Sequence, residues 1–283
     1  MIDLHSHTNE SDGTYTPQEL VETAKALGLE ALGITDHDTF AGFDQAQPLA
    51  QAAGLDLVCG IELSTRMTGG RSRAVHLLGY FLDQSPTAAF RAWLSEVLQD
   101  RRDRNIRLVE SLQAKGVQIE LSEVERMGRT LTGRPHFARL LVRKGYAATS
   151  EEAFRKYLDE SAPTYVERRS PHVAEGIQRL LNAGGMPVLA HPVRLGVSIA
   201  SAEEALIGEM RDMGLRGIEV FHSDHRPADV ERYLGIARKF DLAVTGGSDF
   251  HGDAKPQIAL GTGWRCNINI PKAVLDQMRA RAA

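Results

Sequence analysis

Seven short apolar runs punctuate this chain, and most of them are separated by stretches with helical periodicity. The runs cover residues 2–7, 30–35, 56–62, 74–81, 187–190, 217–221 and 242–246. Strands alternating with helices at this spacing predict an α/β protein with a largely parallel sheet. Seven such units in one domain predict a closed or nearly closed barrel of the TIM type, with a doubly wound open sheet as the alternative. Several helices announce their ends. Thr16-Pro17-Gln18-Glu19 supplies an N-cap, a proline at the first helical position and a glutamate three residues on. Ser170-Pro171 and Arg226-Pro227 repeat the proline signal, and Gly28 and Gly214 stand where helix C-caps fall.

The rhythm breaks after residue 84. Ser85-Pro86 opens a long helical pattern with Phe90, Trp93, Leu94, Val97, Leu98, Ile106, Val109 and Leu112 along one broad stripe. Shorter helices are expected from Ser122 to Met127, Pro135 to Lys144 and Ser150 to Leu158, and no strand signal returns until Pro163–Glu167. Residues 100–165 therefore read as a small helical insertion carried by a barrel whose two parts are residues 1–99 and 166–283.

The chemistry-bearing residues collect at the strand ends. "DLHSHT" puts Asp3, His5 and His7 on one face of the first strand, because side chains alternate along a strand. Asp12 follows in the next loop, and "ITDHDT" sets Asp36, His37 and Asp38 just past the second strand. Glu62, His76, His191, Glu219, His222, Asp249 and His251 continue the series, so that seven of the ten histidines occupy such positions. In barrels of this type the C-terminal strand ends form one mouth, where active sites are built. Histidines mixed with carboxylates suit more than one divalent ion, with manganese, iron or zinc as the candidates. The absence of cysteine from the set argues against a purely structural zinc.

"DLHSHT", "GITDHDT", "GIELS", "HLLGY", "LAHP" and "GSDFH" resemble the successive motifs of the PHP (polymerase and histidinol phosphatase) family of metallophosphoesterases. That family belongs with the amidohydrolases and has a distorted TIM-like (β/α)7 barrel. The resemblance implies that His5, His7, Asp12, His37, Glu62, His76, His191, Asp249 and His251 ligate two to three divalent ions, manganese first, and that a hydroxide on those ions attacks phosphorus. Asp36 and Asp38 are assigned to orienting the ligands. "TGRPHFARLL" and "AHPVR" narrow the resemblance to 3′,5′-nucleotide bisphosphate phosphatases, some of whose relatives trim short RNA from the 5′ end.

The residues support a phosphate pocket at the insertion. Thr132-Gly133-Arg134-Pro135-His136 begins a helix, whose free N–H groups favour an anion. Arg134, His136 and Arg194 are the expected substrate contacts, and His222, outside the nine ligands, is the expected catalytic group for the leaving oxygen. The run Arg101, Arg102, Arg104 and Arg107, interleaved with Asp100 and Asp103, reads mainly as a solvated helix face.

Composition excludes some classes. A formal net charge of −4 argues against general nucleic-acid affinity, so nucleotide phosphates or short RNA must be met by local basic groups. With 283 residues, 42% of them hydrophobic, the chain can bury a core without metal or disulfide. Cys59 and Cys266 read as buried thiols in a reducing compartment. Neither an apolar leader nor a membrane-length apolar run is visible, so cytoplasm is the expected location, with no membrane or protein partner indicated. Two competing functions remain: another phosphoesterase such as a histidinol-phosphate phosphatase, and a non-catalytic module that metals merely stabilise.

Overall fold

A computed structural model describes residues 1–67 and 73–282. Seven strands form one sheet in simple chain order: β1 (Ile2–Ser6), β2 (Ala31–Ile34), β3 (Asp56–Met67), β4 (Arg73–Phe81), β5 (Met186–Leu189), β6 (Gly217–His222) and β7 (Ala243–Gly247). The first and last strands meet at the mouth, where His7 N donates to Phe250 O (2.9 Å) and Asp249 N to His5 O (2.9 Å). The approach is so close that a Cβ on Gly247 would lie 2.3 Å from His5 N. The result is the expected distorted, nearly closed seven-stranded barrel.

One strand departs from the parallel expectation. β4 runs antiparallel to both β3 and β5, while the other four pairings are parallel. Chain length explains this: a parallel crossover needs about a dozen residues, and only residues 68–72 separate β3 from β4. A hairpin is what so short a connection permits. β3 also runs five residues further than its apolar core suggested. The reversal brings His76, near the start of β4, level with Ser64 of β3 and so to the mouth.

Helices α1 (Pro17–Ala26), α2 (Ala41–Ala53), α3 (Ala88–Gln113), α7 (Val173–Asn182), α8 (Ala200–Asp212) and α9 (Pro227–Phe240) accompany the strands. α4 (Leu121–Glu125), α5 (Arg134–Arg143) and α6 (Ser150–Ala153, continued by a wider turn over Phe154–Leu158) lie between α3 and α7. α1 starts as its sequence predicts, with Thr16 Oγ1 accepting from Glu19 N (3.2 Å) and Glu19 Oε2 accepting from Thr16 N (2.8 Å). Gly28 then ends it at φ 71°, a left-handed conformation that glycine adopts without strain.

Four local expectations fail. α3 is capped by Thr87, whose side chain accepts from Phe90 N (3.3 Å), and not by Ser85. Pro171 is not in a first turn, because α7 starts at Val173 with His172 as its cap; Pro171 O instead accepts from Arg66 N. Residues 163–167 pair with no strand. Cys266 is exposed in a turn at φ 59°, whereas Cys59 is buried as expected.

Three apolar clusters organise the chain. Helices pack on the outer barrel face around Leu32, Ile61, Leu63, Leu77 and Ile218. The lower barrel interior is filled by Ile2, Leu4, Tyr80 and Val188 and closed by α10 (Ala273–Ala282) through Leu275 and Met278. A third cluster, with Leu112, Phe137, Leu140, Leu141 and Leu158 fully buried, draws all its buried members from residues 108–158, and Val166 packs against it. α3 joins two of them: Phe90, Trp93, Leu94 and Val97 pack on the barrel, and Leu108, Val109 and Leu112 on the third cluster. At about 1.5–3 kcal/mol per buried large apolar side chain, that cluster supplies most of the driving force for folding these short helices. No helix among the described residues is long and apolar enough to cross a membrane.

Candidate metal centre and anion pocket

The strand ends bring nine side chains together, with the Glu62 carboxylate facing five imidazoles. Glu62, 1% exposed at mid-β3, puts Oε2 3.0 Å from His7 Nε2, 3.2 Å from His5 Nε2 and 3.5 Å from His37 Nδ1. Its Oε1 lies 2.6 Å from His76 Nδ1 and 2.8 Å from His191 Nε2. Asp249 Oδ1 stands 3.4 Å from His5 Nε2 and 3.3 Å from His7 Nε2. A neighbouring group forms around Asp12, whose carboxylate is 3.3 Å from His251 Nε2, 3.7 Å from His7 Nδ1 and 3.8 Å from His37 Nε2. All nine residues that the resemblance marks as ligands are thus brought together.

The supporting groups explain how. Asp36 accepts from Thr8 N (2.8 Å), Thr8 Oγ1 (2.6 Å) and Ser11 Oγ (2.6 Å), which folds the loop that presents Asp12. In the same loop a Cβ on Gly13 would come within 2.5 Å of His7 O. Asp3 is engaged below the cluster by the backbone N–H groups of His5, Ser248 and Gly261. His191 (φ 26°), Asp249 (φ 58°) and Asp38 (φ 53°) take left-handed conformations, which non-glycine residues hold mainly where surroundings enforce them.

Glu219 was placed at a strand end by its sequence but given no role. Fully buried in β6, it sets Oε1 2.8 Å from His5 Nδ1, and Oε2 accepts from His191 N (2.7 Å). It therefore fixes both a ring and a backbone, as the carboxylates behind metal-bound histidines do.

The donor chemistry fits divalent cations. Nε2 of His7, Nδ1 of His37 and Nε2 of His222 are buried without a hydrogen-bond partner, although His7 and His37 lie close to carboxylate oxygens. Four groups of three or four histidine and carboxylate side chains each bring their ligand atoms within 4.8 Å of one another. Burial opposes charge on His7, yet the Asp249 and Glu62 carboxylates raise its pKa to about 9. Burial likewise opposes charge on Glu219, and His5 and His222 bring its pKa down to about 2. The carboxylates are therefore held ionised against burial and call for positive charge, which bound cations supply.

Beside this cluster opens a cavity of about 520 Å³, lined on one side by Asp12, His37, Glu62, His76, Asp249 and His251 and on the other by arginines. Arg104, Arg134 and Arg139 make no ion pair among the described residues. Arg104 Nε donates to Asn105 Oδ1 (3.1 Å), and Arg134 Nη1 to Leu158 O (3.2 Å). Nε and Nη2 of Arg139 are buried with no partner. Burial lowers the pKa of all three, with neighbouring arginines adding to the effect on Arg104 and Arg134. Arg101 and Arg168 share the wall and pair with Asp38. Arg194 Nε donates to Asp224 Oδ2 (2.7 Å), and its Nη2 and Lys255 Nζ reach Asp249 Oδ2 at 2.9 and 2.8 Å.

Three readings of the sequence are corrected here. His136 does not line the cavity: it is fully buried, and its Nδ1 accepts from Gly133 N (3.1 Å), capping α5. His222 is fully buried and does not line the cavity, with Nδ1 accepting from Asp224 N (3.0 Å) and Nε2 3.6 Å from Asp249 Oδ2. The basic run on α3 is only half solvated: Arg102 and Arg107 are exposed, but Arg104 is 3% exposed and Arg101 is ion-paired inside. Arg134 and Arg194 do line the cavity. Sequence reading missed Arg104, Arg139, Arg168 and Lys255. Lys255, four residues past His251, follows the same pattern as Arg194 after His191; Arg139 carries no comparable signal.

Histidine–carboxylate clusters at the strand ends of an α/β barrel are the mark of metal-dependent hydrolases. The chain belongs to the PHP family: the model described as the PHP domain matches residues 3–162. It is 33% identical over 252 residues to a 3′,5′-nucleoside bisphosphate phosphatase of Chromobacterium violaceum, covering 88% of this chain and 87% of that one. It is 34% identical over 265 residues to the 5′-3′ exoribonuclease Rnm of Salmonella typhimurium, covering 92% and 88%. A solved structure from Bifidobacterium adolescentis, described as a metal-dependent phosphoesterase, superposes with a TM-score of 0.85 at 34% identity, covering 100% of this chain and 96% of that one.

Proposed function

We propose that this chain is a metal-dependent phosphatase that removes the 3′-phosphate of 3′,5′-nucleotide bisphosphates. The observation that carries the reading is one cavity with two differently charged walls. With divalent cations held at the carboxylate wall, a ligand with two separated phosphates satisfies both walls at once.

His5, His7, Asp12, His37, Glu62, His76, His191, Asp249 and His251 would hold two to three ions, with manganese the first candidate and zinc or iron the alternatives. Bound there, such ions supply Lewis-acid stabilisation of phosphoryl oxygens and acidify water. The chain's own residues do the rest. Glu219 holds the His5 ring in register. Arg194 and Lys255 reach into the cavity beside Asp249, where charge-assisted hydrogen bonds can orient the reacting phosphate. Arg104, Arg134 and Arg139 take the other phosphate, and that remote binding energy positions the reacting one. Leu131, Pro135, Phe154 and Tyr165 line the same cavity and exclude water around the nucleoside.

Adenosine 3′,5′-bisphosphate incubated with manganese-loaded enzyme should yield 5′-AMP and phosphate, with kcat/KM well above that for 3′-AMP. Release of 3′-AMP would reverse the two phosphate sites, and equal rates on both substrates would remove the second site altogether.

A second reading, 5′-3′ trimming of short RNA, is favoured by a groove of about 450 Å³ beside the cavity. Arg107, Arg169 and His172 line it, and Arg66, Arg168 and Ser170 line both spaces. Release of mononucleotides from a 5′-phosphorylated oligoribonucleotide, sensitive to Arg169→Ala, tests it.

A further inference from the structure

We propose that Asp38 is a positioning residue that registers the cap formed by residues 100–168 on the barrel mouth and sets the arginine wall for the second phosphate. The inference rests on the bisphosphate reading above.

Asp38 lies next to the expected ligand His37, which suggested a role in orienting the metal ligands, but its contacts point elsewhere. It is fully buried, and its oxygens belong to none of the histidine clusters among the described residues. Oδ1 accepts from Ser64 N (2.8 Å). Oδ2 accepts from Arg101 Nη2 and from Arg168 Nη1 (3.3 Å). Ser64 completes the arrangement: its Oγ accepts from Arg101 Nη2 (3.2 Å), and its carbonyl from Arg168 Nη2 (3.2 Å). Asp38 N in turn donates to Glu62 O (3.1 Å), so the left-handed residue is tied to the strand that carries the central carboxylate.

The two arginines come from opposite ends of the excursion. Arg101 lies on α3 as the chain leaves the barrel, and Arg168 lies where it returns. One carboxylate on β2's exit loop thus grips both ends. The grip extends further: a Cβ on Gly133 would lie 3.1 Å from Arg101 Nη1, so that guanidinium abuts the residue that starts α5 and precedes Arg134. Two guanidiniums share one carboxylate, which leaves net positive charge facing the cavity while keeping it in place. Without Asp38, Arg101 and Arg168 would repel each other and their neighbours Arg104 and Arg134 with no buried counter-charge. The wall would then spread, and the phosphate contacts would be lost together.

The test is a ratio: kcat/KM for adenosine 3′,5′-bisphosphate divided by kcat/KM for p-nitrophenyl phosphate, with metal content measured in the same samples. Asp38→Asn should lower the ratio about tenfold, chiefly through KM for the bisphosphate, at unchanged metal content. In an Arg101→Ala/Arg168→Ala background the same substitution should lower it less than twofold, because the groups it acts through are gone. An undiminished ratio in Asp38→Asn overturns the proposal, as does a parallel fall in both activities with loss of metal, which would make Asp38 a support for His37. A wild-type ratio near that of a simple monoester overturns the bisphosphate reading and this inference with it. Should Asp38→Asn not fold, Asp38→Asn/Arg101→Gln/Arg168→Gln removes charge of both signs. Its ratio should match Arg101→Gln/Arg168→Gln alone, and a further fall would overturn the proposal.

Discussion

The two walls of the cavity solve opposite electrostatic problems. On the metal side, buried carboxylates are surrounded by imidazoles that face them at 2.6–3.8 Å. On the far side, the buried Arg104 and the half-buried Arg134 and Arg139 make no ion pair among the described residues. The first wall is built from residues at the ends of strands, fixed by ladder hydrogen bonds and by Asp36 and Glu219. The second is assembled from α3, α5 and the returning segment, and its geometry depends on how an excursion of short helices seats on the barrel. A buried charge without a partner is costly, so each wall is arranged for a ligand of the opposite sign. On the proposed function, the reacting end lies on the strand ends and the recognition end on a docked cap.

Removing the centre of the first wall should have the largest effect. Glu62 meets five imidazoles, so Glu62→Ala leaves none of them with its carboxylate. Loss of a residue that merely supports a metal ligand costs about 10–100-fold, and Glu62→Ala should exceed that for monoester and bisphosphate alike, with metal content falling in parallel. Retained activity in a metal-depleted sample would break the contrast between the walls. Glu219→Gln should fall within the supporting range, lowering metal affinity about 10–100-fold as read by titration with manganese.

The second wall should respond selectively. Arg139→Ala removes a cation that nothing else in the described residues satisfies, and charge-assisted contacts are worth about 1.5–3 kcal/mol. Turnover of the bisphosphate should fall roughly 10- to 150-fold while p-nitrophenyl phosphate hydrolysis stays within about twofold. Equal losses on the two substrates would merge the walls into one site.

The unequal legibility of the walls follows from the same physics. Strand-end ligands are readable because alternation along a strand and the common mouth of a barrel convert sequence spacing into proximity; His5, His7 and Asp249 needed no more than that. β4's reversal was not read, although the brevity of its connection to β3 carried it. His76 reached the mouth because of that reversal. The arginines gave no such rule. Arg104 and Arg107 differ by three positions on one helix, yet one is buried in the cavity wall and the other exposed, since only tertiary docking decides which face of α3 is covered. Arg139 and Arg168 lie on separate elements that meet only in the fold. His136 shows the converse error: a histidine two residues from the cavity-lining Arg134 is drawn by helix geometry to the N-terminal cap, where its ring replaces the glutamate or glutamine usual at that position.

His136 also provides the smallest and sharpest test of where the second wall ends. Its ring is fully buried, with Nδ1 on Gly133 N and Nε2 without a partner, and burial pulls its pKa down to about 4. The unfolded chain takes up a proton near pH 6.5, the folded chain only near 4, so the unfolded state binds more protons between those values. Stability is therefore full above about pH 6.5 and is lost as pH falls towards 4, by about 2 kcal/mol at pH 5 from this group. His136→Gln keeps an acceptor for Gly133 N and removes the titration. Urea unfolding at pH 8 and pH 5 should show the variant losing about 2 kcal/mol less than wild type on acidification. Its preference for the bisphosphate should stay within about twofold of wild type, because the ring does not face the cavity. A tenfold loss of that preference would move the edge of the arginine wall one turn into α5 and restore the phosphate contact that the sequence suggested.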